Sequence, residues 1–541
     1  MNTKTSPADI EQGKNTTSGA VRWLGLVSLS LAVALIIVDT TIVNVAIPSI
    51  VDELKITSTQ VQWVQEAYTL VFAALLLVFG TVADKIGRRK LLLIGIAVFA
   101  ISSVFAATTP TGDLLIFWRV IQGIGGSMIL PSTLSLINAN FTGKYRAIAF
   151  AVWGSVIGGM VAVGPILGGW LTTYFSWRWA FGINLPIALV IVVGMFLFIT
   201  ESREPGTPRI DLLGALLSVI ASGTLVFGLI EGRNYGWWLA DKVPDIGSWK
   251  WPFELSPIPF VFLISLVSIA GFVTRGVVRE RAGKSTMLAF GLFRIPSFRN
   301  GNIAALIVSL GENGLILSLP LWLQNVLDYD ALQSGLVILA LAVGSFFASG
   351  FAGSFGNKIS PVWIARAGVF FEMVGVFIGA LVISPTTPWW AIAVALFIYG
   401  FGIGLASAQL TGVILQDVPV AQSGQGSGTQ STSRQIGSAL GIAILGTVLF
   451  SGTGAVLQSN LADSNLPDKV QTQIVDAVVD SAGGAIPGLD KRNPEVADEA
   501  REAFSEGTRF SAYGAAAFLA LGLLATFRLE AKPAHDRRKE R

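Results

Sequence analysis

Long apolar stretches recur along the chain at near-regular spacing, each bounded by short polar or glycine-rich segments. A helix that crosses a bilayer takes about 20 apolar residues, at roughly 1.5 Å of rise each. On that measure the pattern predicts fourteen spanning helices, at about 23–47, 61–83, 91–108, 114–138, 146–172, 180–199, 211–230, 257–275, 302–324, 332–353, 362–384, 389–413, 433–451 and 508–528. An even count puts both termini on one side of the membrane.

Composition agrees with this reading. Of 541 residues, 52% are hydrophobic and only 13% charged, against about 25% charged in a soluble domain. The fold class expected is an all-α polytopic membrane protein. There is no cysteine, which excludes disulfides, thiolate metal sites and a cysteine nucleophile. The single histidine, His535, lies in the polar tail, so a histidine metal centre or catalytic triad is excluded too. No enzyme constellation remains, and neither a cofactor nor a metal is expected. The first 21 residues lack the charged–apolar–cleavage pattern of a secretory signal peptide.

Lysine and arginine set the orientation. With the termini and alternate loops assigned to the cytoplasm, that side holds 26 of the 37 basic residues and the opposite side 10, with Arg119 inside a span. Both termini are therefore expected in the cytoplasm, with the chain multiply spanning the plasma membrane. The basic RRKER tail reads as an orientation signal rather than a nucleic-acid patch. The expected organisation is a tail (1–21), an amino-terminal bundle of six spans (22–205), an inserted pair of spans (206–285), spans 9–13 of a second bundle (286–452), a long outer loop (453–507), the last span (508–528) and the basic tail (529–541).

Three connections are long. Residues 231–256 contain YGWW and SWKWPF, whose tryptophans suit the headgroup interface. The basic stretch 275–301 has the composition of an amphipathic helix lying on the membrane. In 453–507, Pro467 and Pro494 stand where helices start, with Val470, Ile474 and Val478 repeating every four residues between them. That loop is read as two short helices, the second running into the last span, together forming a solvated lid packed on the outer face, with a gate or entry vestibule as the alternative.

An ionisable side chain inside a span costs at least a few kcal/mol and is a functional candidate by default. Four carboxylates qualify: Asp39 in helix 1, Glu66 in helix 2, Glu312 in helix 9 and Glu372 in helix 11. Arg119 in helix 4 and Arg434 near the start of helix 13 are the cationic counterparts. Gln62, Glu66 and Thr69 share one helical face, as do Ser309, Glu312 and Asn313. With Asp39 these faces suggest one shared watery cavity, against the plainer alternative of interhelical hydrogen-bond glue. Glu372 has wholly apolar neighbours, which favours the plainer alternative there. A carboxyl buried away from a cation retains its proton to higher pH, and a lipophilic cation arriving beside it favours the ionised form. Proton and cation then compete for one site, which is the minimum chemistry of an antiporter.

Glycine-rich motifs sharpen the picture. GTVADKIGRRK (80–90) joins helices 2 and 3: Gly87 permits a tight turn, and Asp84 can pair with an arginine or a helix terminus. RVIQGIGG in helix 4 places Arg119 and Gln122 one turn apart. GPILGG (164–169) in helix 5 allows close backbone approach, with Pro165 favouring a kink. These motifs, with DTTIVNVAIPSI in helix 1, resemble those of the major facilitator superfamily, in particular its 14-helix drug:proton antiporter branch. The resemblance covers residues 22–528. A degenerate copy of the first motif, GSFGNKISPVWIARAG (353–368), lacks an acid corresponding to Asp84, and Met160 stands where the helix 5 motif often has glycine.

The resemblance implies two six-helix bundles, helices 1–6 and 9–14, with helices 7–8 inserted, rocking about a central site near the midplane. It assigns Asp39 and Arg119 to proton coupling. Glu66 and Glu312 become cavity acids for proton or cationic substrate, with Gln62, Asn313 and Asn44 beside them. Gly80, Asp84, Gly87, Arg88 and Arg89, with Gln122 and Gly123, fall in its gating motifs, and Gly164, Pro165, Gly168 and Gly169 in its helix 5 packing hinge. Glu372 falls on a helix peripheral in that fold.

Two decoys are set aside. AGKST (282–286) lacks the first glycine of a nucleotide-binding loop, Val278 standing in its place. GQGSGTQSTS (424–433) is read as a loop entering helix 13. Without a nucleotide site, transport must draw on an ion gradient. The expected function is proton-coupled export of amphiphilic compounds, cations above all, with protons and membrane lipids as the other partners; no protein partner is required. The rivals are export or flipping of a lipid or envelope precursor, export of a metabolite such as an amino acid, uptake by proton symport, and a non-transporting sensor.

Overall fold

The computed structural model describes residues 19–530 apart from 57, 142, 203–210, 241–250, 356–358, 463 and 465. The amino tail, the basic carboxyl tail with His535 and part of SWKWPF lie outside the described residues. Each of the fourteen predicted segments falls on helix: α1 Gly19–Leu54, α2 Ser58–Ile86, α3 Arg88–Ala107, α4 Gly112–Asn140, α5 Gly143–Tyr174, the broken pair α6 Arg178–Gly182 and α7 Asn184–Phe198, α8 Leu212–Tyr235, α9 Pro257–Arg281, α10 Pro296–Asn325, α11 Ala331–Phe355, α12 Pro361–Val382, α13 Trp389–Leu415, α14 Ser423–Ala462 and, after two short helices, α17 Pro494–Thr526. Over the described residues, eleven helices are long and apolar enough to cross a bilayer.

The burial pattern is that of a protein in hydrocarbon. On α7, Leu189, Val190, Val193, Phe196 and Leu197 are all exposed, while Ser102, Ser103, Ser127, Ser132 and Thr133 are buried among helices. Small residues face inward because van der Waals contact between close backbones holds such helices together, lipid being as apolar as leucine. Gly344 of α11 and Gly400 of α13 show this contact: a Cβ at Gly344 would lie 2.1 Å from the Phe397 carbonyl oxygen, and one at Gly400 2.0 Å from that of Leu341.

The two halves repeat one packing scheme. α1 packs on α5 and α7, while α4 packs on α2 and α3; equivalently, α10 packs on α14 and α17, while α13 packs on α11 and α12. The halves meet along two seams, α2 with α14 and α5 with α11 and α13. The inserted pair is joined by Asp211, which caps α8 through the Gly214 N–H and accepts from Arg275 of α9 at 2.8 Å. Of the two, α8 packs on both α2 and α14, along one seam. At the far end of α1, Glu53 accepts from Trp177 at 2.7 Å and from Arg178, and the Arg178 bond first of all holds its carboxyl below the usual range.

Three local expectations are corrected. The segment GQGSGTQSTS is not a loop but the first turns of α14: tertiary packing overrides glycine's poor propensity, because Gly424 and Gly428 lie against α2. The stretch 275–301 forms no helix of its own; α9 runs to Arg281, a turn follows, and a short 3₁₀ helix (Phe290–Arg294) leads into α10. In 453–507, helix continues from α14 to Ala462, and α15 (Asp468–Asp480) and α16 (Ile486–Asp490) precede α17, with Pro467 capping α15 and Pro494 opening α17 as expected. Val475 and Val478 bury against the second half, in keeping with a packed lid.

Gly400→Ala is expected to lower the melting temperature in detergent, since overpacking a tight contact costs about 1–3 kcal/mol. At Gly379, where a Cβ would have nothing nearer than 3.9 Å, alanine should hold or raise it, the helix propensity gain being about 1 kcal/mol. Equal melting shifts for the two variants would refute this account of the packing.

Candidate functional site

Three polar assemblies occur inside the helical bundle. The first lies within the amino-terminal half. Asp39 of α1 is fully buried and accepts from Arg119 of α4 at 2.6 Å. Its other oxygen accepts from Gln122 at 2.9 Å and from Asn184, at the start of α7, at 2.7 Å. Ser103 of α3 accepts from both amides, at 2.7 and 3.1 Å. Arg119 also donates to the Val64 carbonyl at 2.9 Å and lies 4.4 Å from the Tyr68 ring centroid. Every member is buried, so the pair forgoes hydration and depends on this complete set of partners.

The second assembly is in the other half. Glu312 of α10, 5% exposed, accepts from Arg434 of α14 at 3.1 Å and from Ser407 of α13 at 3.3 Å. Ser309 donates to it at 3.5 Å, and Tyr399 donates to the Glu312 carbonyl at 2.9 Å. The Arg434 side chain remains 23% exposed, so this pair borders open space, unlike the Asp39 pair. Glu66 stands apart from both on α2: its charge, with that of buried Glu231, acts on Tyr235 at the end of α8. Burial first, then these two carboxylates, pushes the Tyr235 hydroxyl up. The expectation of one cavity shared by Asp39, Glu66 and Glu312 is thus corrected, because Asp39 turns into its own bundle to reach Arg119. The side chains of Asn44, Gln62 and Asn313 lie outside the described part of the structure.

The third assembly joins the halves at the end bearing the helix 2–3 motif. Asp84 accepts from the backbone N–H groups of Gly424 (2.8 Å) and Gln425 (3.1 Å), and so caps the N-terminus of α14. Negative charge is favoured there by the unpaired amides and the helix dipole. Arg88 pairs with Asp84 at 2.8 Å and also donates to the Val420 carbonyl and to Ser202. Gly80 is required by the same contact: a Cβ would lie 2.5 Å from the Gly424 carbonyl oxygen. Ser135 meets Ser427 at 2.7 Å, Asn138 donates to Ser423 at 2.7 Å, and Arg146 reaches the Gln416 carbonyl. Gly87 has a φ of 110°, and Glu201 fills the space beside it while capping α3 through the Arg89 and Lys90 amides. Arg89 takes no part in the clasp; its guanidinium lies over Phe196.

Arg366 donates to the carbonyls of Thr526 and Leu529 at 3.2 and 2.9 Å, holding the C-terminal end of α17, where cations are favoured. The helix 5 motif packs through Gly164 and Gly168, whose added Cβ atoms would meet Thr41 and Ile42 of α1 within 3 Å, while one at Gly169 would meet nothing nearer than the Leu332 nitrogen at 4.0 Å. Gly123 brings α4 against the Tyr68 carbonyl. Sequence reasoning missed Ser103, Asn184, Tyr68, Ser407, Tyr399 and Glu201. Single hydroxyls in apolar runs carry little signal; Asn184, a lone amide within apolar sequence, is the one that its context could have marked.

Two repeated helical halves, with buried ion pairs in each and a polar clasp between them, define a membrane transporter rather than an enzyme. The chain belongs to the Major Facilitator Superfamily, whose model matches residues 29–442. It is 30% identical over 520 residues to "Multidrug resistance protein Stp" of Mycobacterium tuberculosis, covering 95% of this chain and 93% of the relative. It is 31% identical over 506 residues to "Multidrug efflux pump LfrA" of Mycolicibacterium smegmatis, covering 92% and 94%. Among solved structures, the human organic anion transporter MFSD10 superposes with a TM-score of 0.56 at 14% identity (94% and 98% of the chains). The proton:xylose symporter XylE does so with 0.57 at 12% (96% and 99%).

Asp84→Asn is expected to loosen the clasp. The chain has no native cysteine, so a Ser427→Cys reporter, buried in the clasp, reads its opening without background. Labelling by a water-soluble maleimide should rise about tenfold, the response to a shift of only ~1.4 kcal/mol; an unchanged rate would refute the role of Asp84 in closure.

Proposed function

We propose that this protein is a proton-coupled antiporter that exports amphiphilic, chiefly cationic, compounds from the cytoplasm across the plasma membrane by alternating access. The observation that carries the reading is the sealed Asp39–Arg119 pair with its Gln122, Asn184 and Ser103 partners. A proton arriving on Asp39 leaves the Arg119 charge without its counter-ion, and an uncompensated buried charge costs about 3–5 kcal/mol. The protonated form therefore favours another arrangement of α1 and α4, which ties proton binding to a change of shape. Relatives named as multidrug resistance and efflux proteins support the export of drug-like compounds.

Glu312 with Arg434 is the substrate-side partner in this scheme. A cation docking there competes with Arg434 for the carboxylate, and the exposure of Arg434 leaves room for the exchange. The clasp at Asp84 and Arg88 closes the cytoplasmic end, as the excess of lysine and arginine on that side implies. In this scheme a closed clasp leaves substrate release and proton uptake to the side opposite the cytoplasm. The Gly164 and Gly168 contacts keep α1, which bears Asp39, in register with α5 at the seam with the second half.

The test uses inside-out vesicles with an acid interior and a pH-sensitive dye. Cations should dissipate the gradient through the native protein and not through Asp39→Asn, with both proteins folded and inserted. Gradient loss of equal size in Asp39→Asn would overturn the assignment. Glu312→Gln should weaken transport of monovalent cations about tenfold, the loss of roughly 1.4 kcal/mol of charge pairing, and leave uncharged amphiphiles nearly unchanged. An equal effect on both substrate kinds would place Glu312 outside the substrate site.

A further inference from the structure

Glu372 of α12 is 0% exposed, and neither carboxylate oxygen has a hydrogen-bond partner among the described residues. It sits in contact with α13, where a Cβ on Gly402 would lie 2.8 Å from its Cγ, and one turn along that face Tyr399 packs on Gly375 of α12. Tyr399 in turn donates to the Glu312 carbonyl at 2.9 Å. The charged and titratable groups around the carboxyl are Glu312 from α10, Arg434 from α14 and Tyr399 from α13. The remaining helix packed on α12, α17, supplies Ala512, Ala515, Ala516 and Leu519 to the same apolar cluster, and its Tyr513 lies against Phe377.

A bare carboxylate in such a place would have neither water nor a donor to solvate it, and a second carboxylate would repel it. Arg434 cannot answer both charges at once, since its guanidinium already pairs with Glu312. Two carboxyls, one arginine and one proton make a neutral set, and the proton falls to the member without a donor. The packing scheme repeated between the halves gives this arrangement a parallel. In the amino-terminal half the third span also brings a polar group, Ser103, into the assembly around the acid of the first span.

We propose that Glu372 is a proton carrier of the transport cycle, holding the proton that balances Glu312 and Arg434 and yielding it when a monovalent cation docks at Glu312. The proposal rests on the cation–proton exchange proposed above. In the transfer the O–H bond of the Glu372 carboxyl breaks and an O–H bond forms on Glu312, while Arg434 turns to neutralise the new Glu372 carboxylate. The proton then passes from Glu312 to water as the cation takes its place. Before and after, the set is neutral: two carboxylates, the guanidinium and either the proton or the cation. Without Glu372 the set of Glu312 and Arg434 is neutral with no proton to give, and cation docking leaves an uncompensated positive charge.

Two measurements on the purified full-length protein in lipid nanodiscs test this. Infrared difference spectra between native protein and Glu372→Gln should show, at neutral pH, the carbonyl stretch of a protonated carboxyl, at the high-frequency end because nothing donates to it. Absence of that band overturns the proposal whatever the protein transports. Tetraphenylphosphonium binding in weakly buffered solution with a pH dye is the second measurement. Glu372→Gln should release one proton fewer per bound cation, bind the cation about tenfold more weakly, within the range of coupled sites, and lose much of the pH dependence of that binding. Native-like proton release by Glu372→Gln would overturn the proposal. If the native protein binds the cation and releases no proton, the antiport reading fails, while the infrared band still decides whether Glu372 carries a proton. Glu372→Met, of similar volume and without charge, should keep the native melting temperature; a large drop would instead mark Glu372 as structural and overturn its assignment as a carrier.

Discussion

A charge inside a hydrocarbon slab must have an opposite charge, a set of hydrogen-bond donors or a proton, and this constraint organises the protein. Asp39 is met by Arg119 and two amides, Glu312 by Arg434 and serine hydroxyls, and Asp84 by Arg88 and the N-terminus of α14. Each solution draws partners from several helices. Moving any one helix therefore breaks a charge compensation unless a proton or a cationic ligand restores it. That is the physical link between ion binding and alternating access, and it needs no moving part beyond the helices themselves.

The three ion pairs differ in what they can exchange with. The Asp39 assembly is sealed, and on the proposed function its exchange partner is a proton. The Glu312 pair borders open space through Arg434 and can trade that guanidinium for a larger cation. The Asp84 clasp joins the two halves and responds to their separation. On the function proposed above, such a division lets one fold bind a proton in one half and a substrate in the other while a third site registers which end is open.

The halves repeat their packing but not their chemistry. The clasp between the halves sets a carboxylate on a helix N-terminus, whereas within the second half Arg366 sits on a helix C-terminus. Both exploit the same dipole with opposite sign. Of the inserted pair, α8 lies against α2 and α14, beside one of the two seams between the halves, and brings Glu231 and Tyr235 close to Glu66.

The pattern of apolar runs determined the helices, since spanning a bilayer demands length and hydrophobicity that few other structures need, and every predicted span falls on helix. Glycine motifs and isolated charges also marked Asp39, Arg119, Glu312 and Asp84 as candidates, because such residues are costly in lipid. What the chain alone could not decide was which charge meets which. Asp39 and Glu312 look alike in sequence, yet one turns into its bundle and the other borders open space, a matter of helix rotation set by packing. Residues 424–433 read as a loop because local propensity disfavours helix there, and only the fit of their glycines against Gly80 makes them helical. Glu372 looked idle among phenylalanines, and its proximity to Glu312 and Arg434 exists only once α10, α12, α13 and α14 come together.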